Sequence, residues 1–132
     1  MEIMKYPIKP KSTSQMEQGQ FWSVPIGSGR FSCGVVLALV ATNSGKKDSR
    51  TFLAGLLDWV GDMPPNSEEL DECSVLDKGF AHIKTITETG GELLGKLEIN
   101  LGFPEVVSET DSINSWGYNS IARKAAKHQV SS

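Results

Sequence analysis

The sequence predicts a mainly β (α+β) fold: a single domain with a curled antiparallel sheet or partly open barrel and one or two short helices. Three observations point there. Residues 19–40 hold two apolar runs around Gly27-Ser28-Gly29, the local signature of a β-hairpin. Residues 35–41 are apolar at every position, as in a strand covered on both faces. Glycine and proline punctuate the rest, so the strands are short and joined by turns.

Taken in order, residues 1–18 are polar, with Pro7, Pro10 and the Lys5, Lys9, Lys11 trio. They read as a loose lead-in to a mostly β domain spanning 19–132. Residues 21–26 form a first strand, which Pro25 pushes toward an edge because it cannot donate to a ladder. Residues 30–42 form the long second strand, and 43–49 a polar turn. Residues 50–59 resume the apolar pattern with Phe52-Leu53-Ala54-Gly55-Leu56-Leu57 and pair back on the preceding strand. Gly61 and Pro64-Pro65 end that run. Asn66 or Ser67 then caps a short helix through Cys73, with Glu68 and Glu69 in the first turn where the helix dipole favours acids.

Residues 79–87 alternate Phe80, His82, Lys84 and Ile86 with Ala81, Ile83 and Thr85, the pattern of a strand with mixed faces. Gly90-Gly91 makes a turn, 93–99 is short and ambiguous, and Gly102 and Pro104 break the chain again. In the tail, Asn119 is a candidate cap for a helix. Its apolar stripe is Ile121, Ala122, Ala125 and Ala126, opposite Arg123, Lys124 and Lys127.

A chain of 132 residues fits one domain with a real core, and an apolar fraction of 39% argues against wholesale disorder. A net charge of -3 argues against a general nucleic-acid binder, which carries a basic face. The longest apolar run is far too short to span a bilayer. The N-terminus lacks the apolar core and cleavage site of a signal peptide, so the cytoplasm is the expected compartment. Cys33 and Cys73 are expected there as two reduced thiols.

Candidate chemistry thins out when tested residue by residue. Residues 90–96 match the glycine and lysine spacing of a P-loop. Leu97, however, stands where a Ser or Thr would hold magnesium, and Gly102 and Pro104 cut short the helix a phosphate cradle needs. Gly27-Ser28-Gly29-Arg30 resembles an anion-binding loop, yet Ser32 occupies the third glycine position, and a hairpin turn followed by a strand-opening arginine explains it better. His82 and His128 are the chain's two imidazoles, and no paired Cys or His spacing suggests zinc. A Cys33–His82 nucleophile pair is conceivable, but the apolar neighbours of Cys33 would raise its pKa. No catalytic residue, cofactor or metal site is therefore assigned.

Charge is more informative. Residues 58–77 contain seven acids (Asp58, Asp62, Glu68, Glu69, Asp71, Glu72 and Asp77) and no Lys or Arg. Either this is a solvated loop and helix face, or it is an acidic docking surface for a basic partner. Trp22, Trp59 and Trp116 pose the same choice, between core packing and partner anchors.

The run Gly19-x-Phe21-Trp22-x-Val24-Pro25-Ile26, then Gly29-Arg30-Phe31-x-x-Gly34-Val35-Val36, resembles the opening of the immunity protein 26 family, which accompanies bacterial polymorphic toxins. Members tend to begin with a Gly-Asp-aromatic segment, an Ile-Pro-Leu strand and a Gly-x-aromatic-x-x-Gly-x-Val strand. Here Gln20 replaces the acid and Ile26 the leucine. Leu94-Gly95-Lys96-Leu97 and Pro104 are similar to a later strand end and proline of that family, while residues 43–90 do not align. The resemblance implies a small cytoplasmic β protein that binds a cognate toxin and neutralises it by occlusion, with no catalysis and no cofactor. The expected docking residues are Asp62, Glu68, Glu69, Asp71 and Glu72. The alternative is a small β-barrel module that binds a small ligand, peptide or nucleic acid through its tryptophans.

Overall fold

The computed structural model describes residues 6–42, 44–97, 102–108, 113–117 and 120–131. The order is a 3₁₀ turn (Thr13–Gln15), β1 (Gln20–Gly27), β2 (Arg30–Ala41), β3 (Lys47–Gly61), β4 (Val75–His82), α1 (Lys84–Thr87), β5 (Gly95–Lys96), β6 (Val106–Ser108) and α2 (Ser120–Ser131). The strands form one open sheet in the order β4-β3-β2-β1-β5, every neighbour antiparallel. Here β6 adds to β2 in parallel. The expected mainly β fold with short helices is thus the observed one, built as a single open sheet whose five main strands are antiparallel.

The centre of the sheet follows from the sequence. β2 is apolar on both sides because both sides are covered. On one face Trp22, Val24, Val36, Phe52, Ala54, Leu56 and Ala81 lie under Ile121 and Ala125 of α2, Ile83 and Ile86 around α1, and Leu93. On the other, Phe21, Cys33, Val35, Leu37, Leu53 and Leu57 lie under Leu70 and Leu97, with Phe103 and Val107 at the margin. A ladder irregularity between Val36 and Ala38 puts Leu37 and Ala38 on the same side, so the alternation flips midway along β2.

That irregularity also marks a change of partner. Residues 30–35 of β2 pair with β1, whereas Leu39–Ala41 pair with β6. Gln18 bridges the gap: its side-chain amide donates to the carbonyls of Leu37 (2.8 Å) and Phe103 (2.8 Å). The Leu39 N–H donates to the Glu105 carbonyl at 2.9 Å, which docks the start of β6.

At Gly34 a close approach requires glycine. Trp22 stands directly across from Gly34 in the β1–β2 ladder, and its six-membered ring lies over that position, so any Cβ there would overlap the indole. Trp22 is fully buried, meets Phe52 edge-on at 5.9 Å, and donates its indole N–H to Thr89 Oγ1 at 3.0 Å. Pro25 sits where expected, exposed beyond the short β1–β5 pairing at Gln20 and Phe21.

Several expectations need correction. The lead-in is not loose from Tyr6 onward. Ile8 forms a bridge with Leu93, Met16 is buried, and Thr13 Oγ1 donates to the Asp48 carbonyl at 2.5 Å. These contacts recruit the few apolar residues of a polar segment, which composition alone undervalues. The polar turn before β3 is shorter than 43–49, since the strand already runs from Lys47.

No helix forms over 66–73. Asn66 Oδ1 does accept the Glu69 N–H at 3.0 Å, and turn bonds follow from Leu70 to Ser67 and from Cys73 to Leu70. A segment this short supplies no stable helix by itself. Its single buried apolar residue makes no stripe, and Glu68 would face Glu72 at the unfavourable like-charge spacing. The strand expected at 79–87 is displaced to Val75–His82, after which the chain turns into α1. β6 was hidden in the sequence by its three-residue length. Asn119 and Ile99 lie outside the described residues.

Candidate functional site

The acidic segment links β3 to β4 and is organised around one side chain. Leu70 is fully buried against the second face of the sheet, in the cluster that contains Cys33, Val35 and Leu57. Around that anchor Glu68, Glu69, Asp71 and Glu72 are all exposed. Among the described residues none of these four has a basic partner within salt-bridge distance. Their backbone is held by the Asn66 turn and by the Asp58 N–H, which donates to the Ser74 carbonyl at 2.8 Å where β4 begins. The turn is a negatively charged surface on a fixed footing.

The other acids of the stretch are placed differently. Asp62 Oδ1 lies 3.7 Å from Arg30 Nε, a loose exposed pair of little energetic weight. It shows that the β1–β2 hairpin tip and the start of the acidic segment share one end of the sheet, as does the pairing of Phe31 with Gly61. Asp77 faces the other layer and pairs with Lys124 of α2 at 3.0 Å, so it belongs to the fold's own contacts. Met63, beside Asp62, is 74% exposed. Of the expected docking residues, Glu68, Glu69, Asp71 and Glu72 are thus brought together on one turn, with Asp62 on the approach to it.

The three tryptophans divide. Trp22 and Trp116 are buried and Trp59 is half-buried beside Gly61. The five-membered part of the Trp116 indole lies over Gly79, leaving no room for a Cβ there, and Lys124 Nζ sits 5.7 Å from its ring centre. Trp116 also forms one wall of an open cavity of about 500 Å³, lined further by Asn114, Ser115, Ser120, Arg123 and Lys124. Sequence reasoning set Arg123, Lys124 and Lys127 opposite the apolar stripe of the C-terminal helix. It missed that the segment ending in Trp116 folds back beside them, bridging in parallel to Phe80.

The Cys33–His82 pair considered from the sequence is not brought together. Cys33 pairs with Leu57 in the ladder and His82 with Thr51, which sets them six residues apart along β3, roughly 20 Å at strand rise. Burial pushes the Cys33 thiol well above its usual pKa, with the nearby Cys73 adding to the effect, so it stays protonated at neutral pH. Burial likewise raises Cys73, and Asp58 contributes. Both cysteines are free thiols. Lys96, the lysine of the P-loop-like run, pairs with Glu17 at 3.1 Å and ends a two-residue strand instead of opening a helix. Among the described residues no group of three His, Cys, Asp or Glu side chains is placed to hold a metal ion, and no helix is long and apolar enough to cross a membrane. The side chain of His128 lies outside the described residues.

No family model, curated protein or solved structure matches this chain.

Proposed function

We propose that this chain is an immunity protein that acts in the cytoplasm, binding a cognate bacterial toxin and neutralising it by occlusion without catalysis. The observation that carries the reading is the turn at 66–73. It presents four carboxylates with no basic partner among the described residues, on a backbone anchored by the buried Leu70. A fixed cluster of unpaired charge adds little to folding. It favours fast, selective association with a complementary basic surface. Seven of the sixteen acids and none of the thirteen bases fall within residues 58–77, so the charge is concentrated and the remainder of the chain is net positive. The family resemblance over residues 19–36 supplies the identity of the partner class, a toxin encoded beside its inhibitor.

The test is co-expression with the product of the neighbouring gene. Rescue of growth and a one-to-one complex are the expected result, and absence of both overturns the reading. Reversing Glu68, Glu69, Asp71 and Glu72 to lysine tests the surface separately, and unchanged affinity at low salt removes it.

A second reading rests on the cavity beside Trp116. Its volume suits a small ligand, and an aromatic wall with Arg123 and Lys124 nearby suits an anionic one. A ligand-dependent change in tryptophan fluorescence that Trp116→Phe abolishes would favour this binding-module reading over the first.

A further inference from the structure

We infer that the junction of β4 and α1 is an acid-sensitive joint, held closed by the neutral imidazole of His82 and connected by hydrogen bonds to the buried Trp22. His82 is the last residue of β4, and its Nδ1 accepts the backbone N–H of Lys84 at 3.0 Å. That contact satisfies a donor at the start of α1 which no helical carbonyl reaches, and it requires a free lone pair on Nδ1. The ring is therefore in its neutral form with the proton on Nε2.

Adding a proton to Nδ1 turns the acceptor into a donor that faces another donor. The charged groups around the ring sharpen the conflict. Lys84 lies on the same turn and Arg50 on the adjacent β3, while Asp48, also on β3, acts in the opposite sense. Asp48 Oδ1 is itself engaged, accepting the N–H groups of Arg50 and Thr51 at 2.8 Å each. Burial, then Lys84 and Arg50, hold the His82 pKa below its usual value. The sign follows: the folded chain binds this proton less readily than the unfolded one. The joint is at full strength above the ordinary histidine range and weakens as pH falls through it.

The consequence runs inward along contiguous contacts. α1 follows directly from this joint, with Ile83 N–H donating to the Arg50 carbonyl at 2.8 Å. The Thr85 carbonyl accepts from Thr89 Oγ1 at 2.6 Å, and the same hydroxyl accepts the indole N–H of Trp22. Loosening the start of α1 releases Thr85, then Thr89, then the only hydrogen bond described for the Trp22 indole.

The experiment is a pH titration by ¹H–¹⁵N NMR of the full chain carrying His128→Gln, which leaves His82 as the single titrating imidazole. The Lys84 amide and the Trp22 indole resonances are expected to shift with one common midpoint below the usual histidine value. Amide protection at Lys84 should be lost on the acid side. In the same background His82→Asn puts a non-titrating acceptor oxygen in the place of Nδ1 and should flatten both curves. An unchanged pH response in His82→Asn overturns the inference, as does His82 titration without any shift at Lys84.

Discussion

The Trp22–Gly34 crossing and the acidic turn at 66–73 are both short, but they are specified in opposite ways. At the crossing the side chain is fully buried: the indole covers Gly34, meets Phe52 edge-on and is hydrogen-bonded to Thr89. At the turn a single side chain, Leu70, is buried, and the four acids around it touch solvent. One region spends its residues on folding. The other is attached to the fold at one point and leaves its charged groups available. Residues that cost stability when changed and residues that matter for a partner should therefore separate cleanly between the two.

The largest effect is expected at the first region. Trp22→Ala removes the biggest fully buried side chain and the indole N–H that Thr89 Oγ1 accepts. It should destabilise the chain by about 3–5 kcal/mol in urea unfolding. A loss below about 1 kcal/mol would mean that the crossing is not the centre of that core. Leu70→Ala comes next, at about 2–5 kcal/mol by the same measurement, toward the lower end because a connecting turn relaxes more easily than a central strand. This variant joins the two regions, since the turn should lose both its footing and its fixed presentation of charge. Gly34→Ala follows at about 1–3 kcal/mol, the usual range for overpacking, since the new methyl must displace the Trp22 ring. In Gly34→Ala the combined change with Trp22→Ala should be less than additive, because removing the indole vacates the space the methyl needs.

The same contrast explains what could be read in advance. The sheet's centre was legible because hydrophobic pattern and turn chemistry agree there: the Gly-Ser-Gly turn, the two-faced run of β2 and the edge position of Pro25 all reappear. Features set by one or two long-range contacts were not legible. Ile8 against Leu93 and Thr13 against Asp48 tie down a segment that reads as polar and loose. The strand-like alternation through Ile86 gave no sign that His82 would accept the Lys84 N–H and bend the chain into α1. β6 owes its place to Gln18 and to the bulge in β2. At the acidic turn the charge is plain in the sequence, and of the two expected cap residues, Asn66 and Ser67, the Asn66 side chain accepts the Glu69 N–H. The helix it was to cap does not form, because like charges and a lone apolar residue leave only turns. The cavity beside Trp116 depends on a return of the chain from Asn114 to Trp116 along β4, for which no local signal exists.

The smallest expected change in stability carries the sharpest test of the comparison. Glu68, Glu69, Asp71 and Glu72 are exposed and outside any ion pair among the described residues, so reversing all four to lysine breaks no ion pair described for the fold. Each exposed substitution should move stability by no more than about 0.5 kcal/mol, with no change in the denaturant slope. Neutralising Glu72 to Gln alone should move stability by no more than a few tenths of a kcal/mol in the same urea unfolding, because the side chain is exposed. Association with the partner should respond in the other direction. Reversal should slow association most strongly at low ionic strength and converge with the parent chain as salt is raised, because exposed charges act at a distance that salt screens. Should the four-lysine variant instead unfold the chain, the turn would be part of the folding core and the division drawn between the two regions would fail. Full stability with lost, salt-dependent association would place the two jobs on separate residues, with Leu70 as the single link between them.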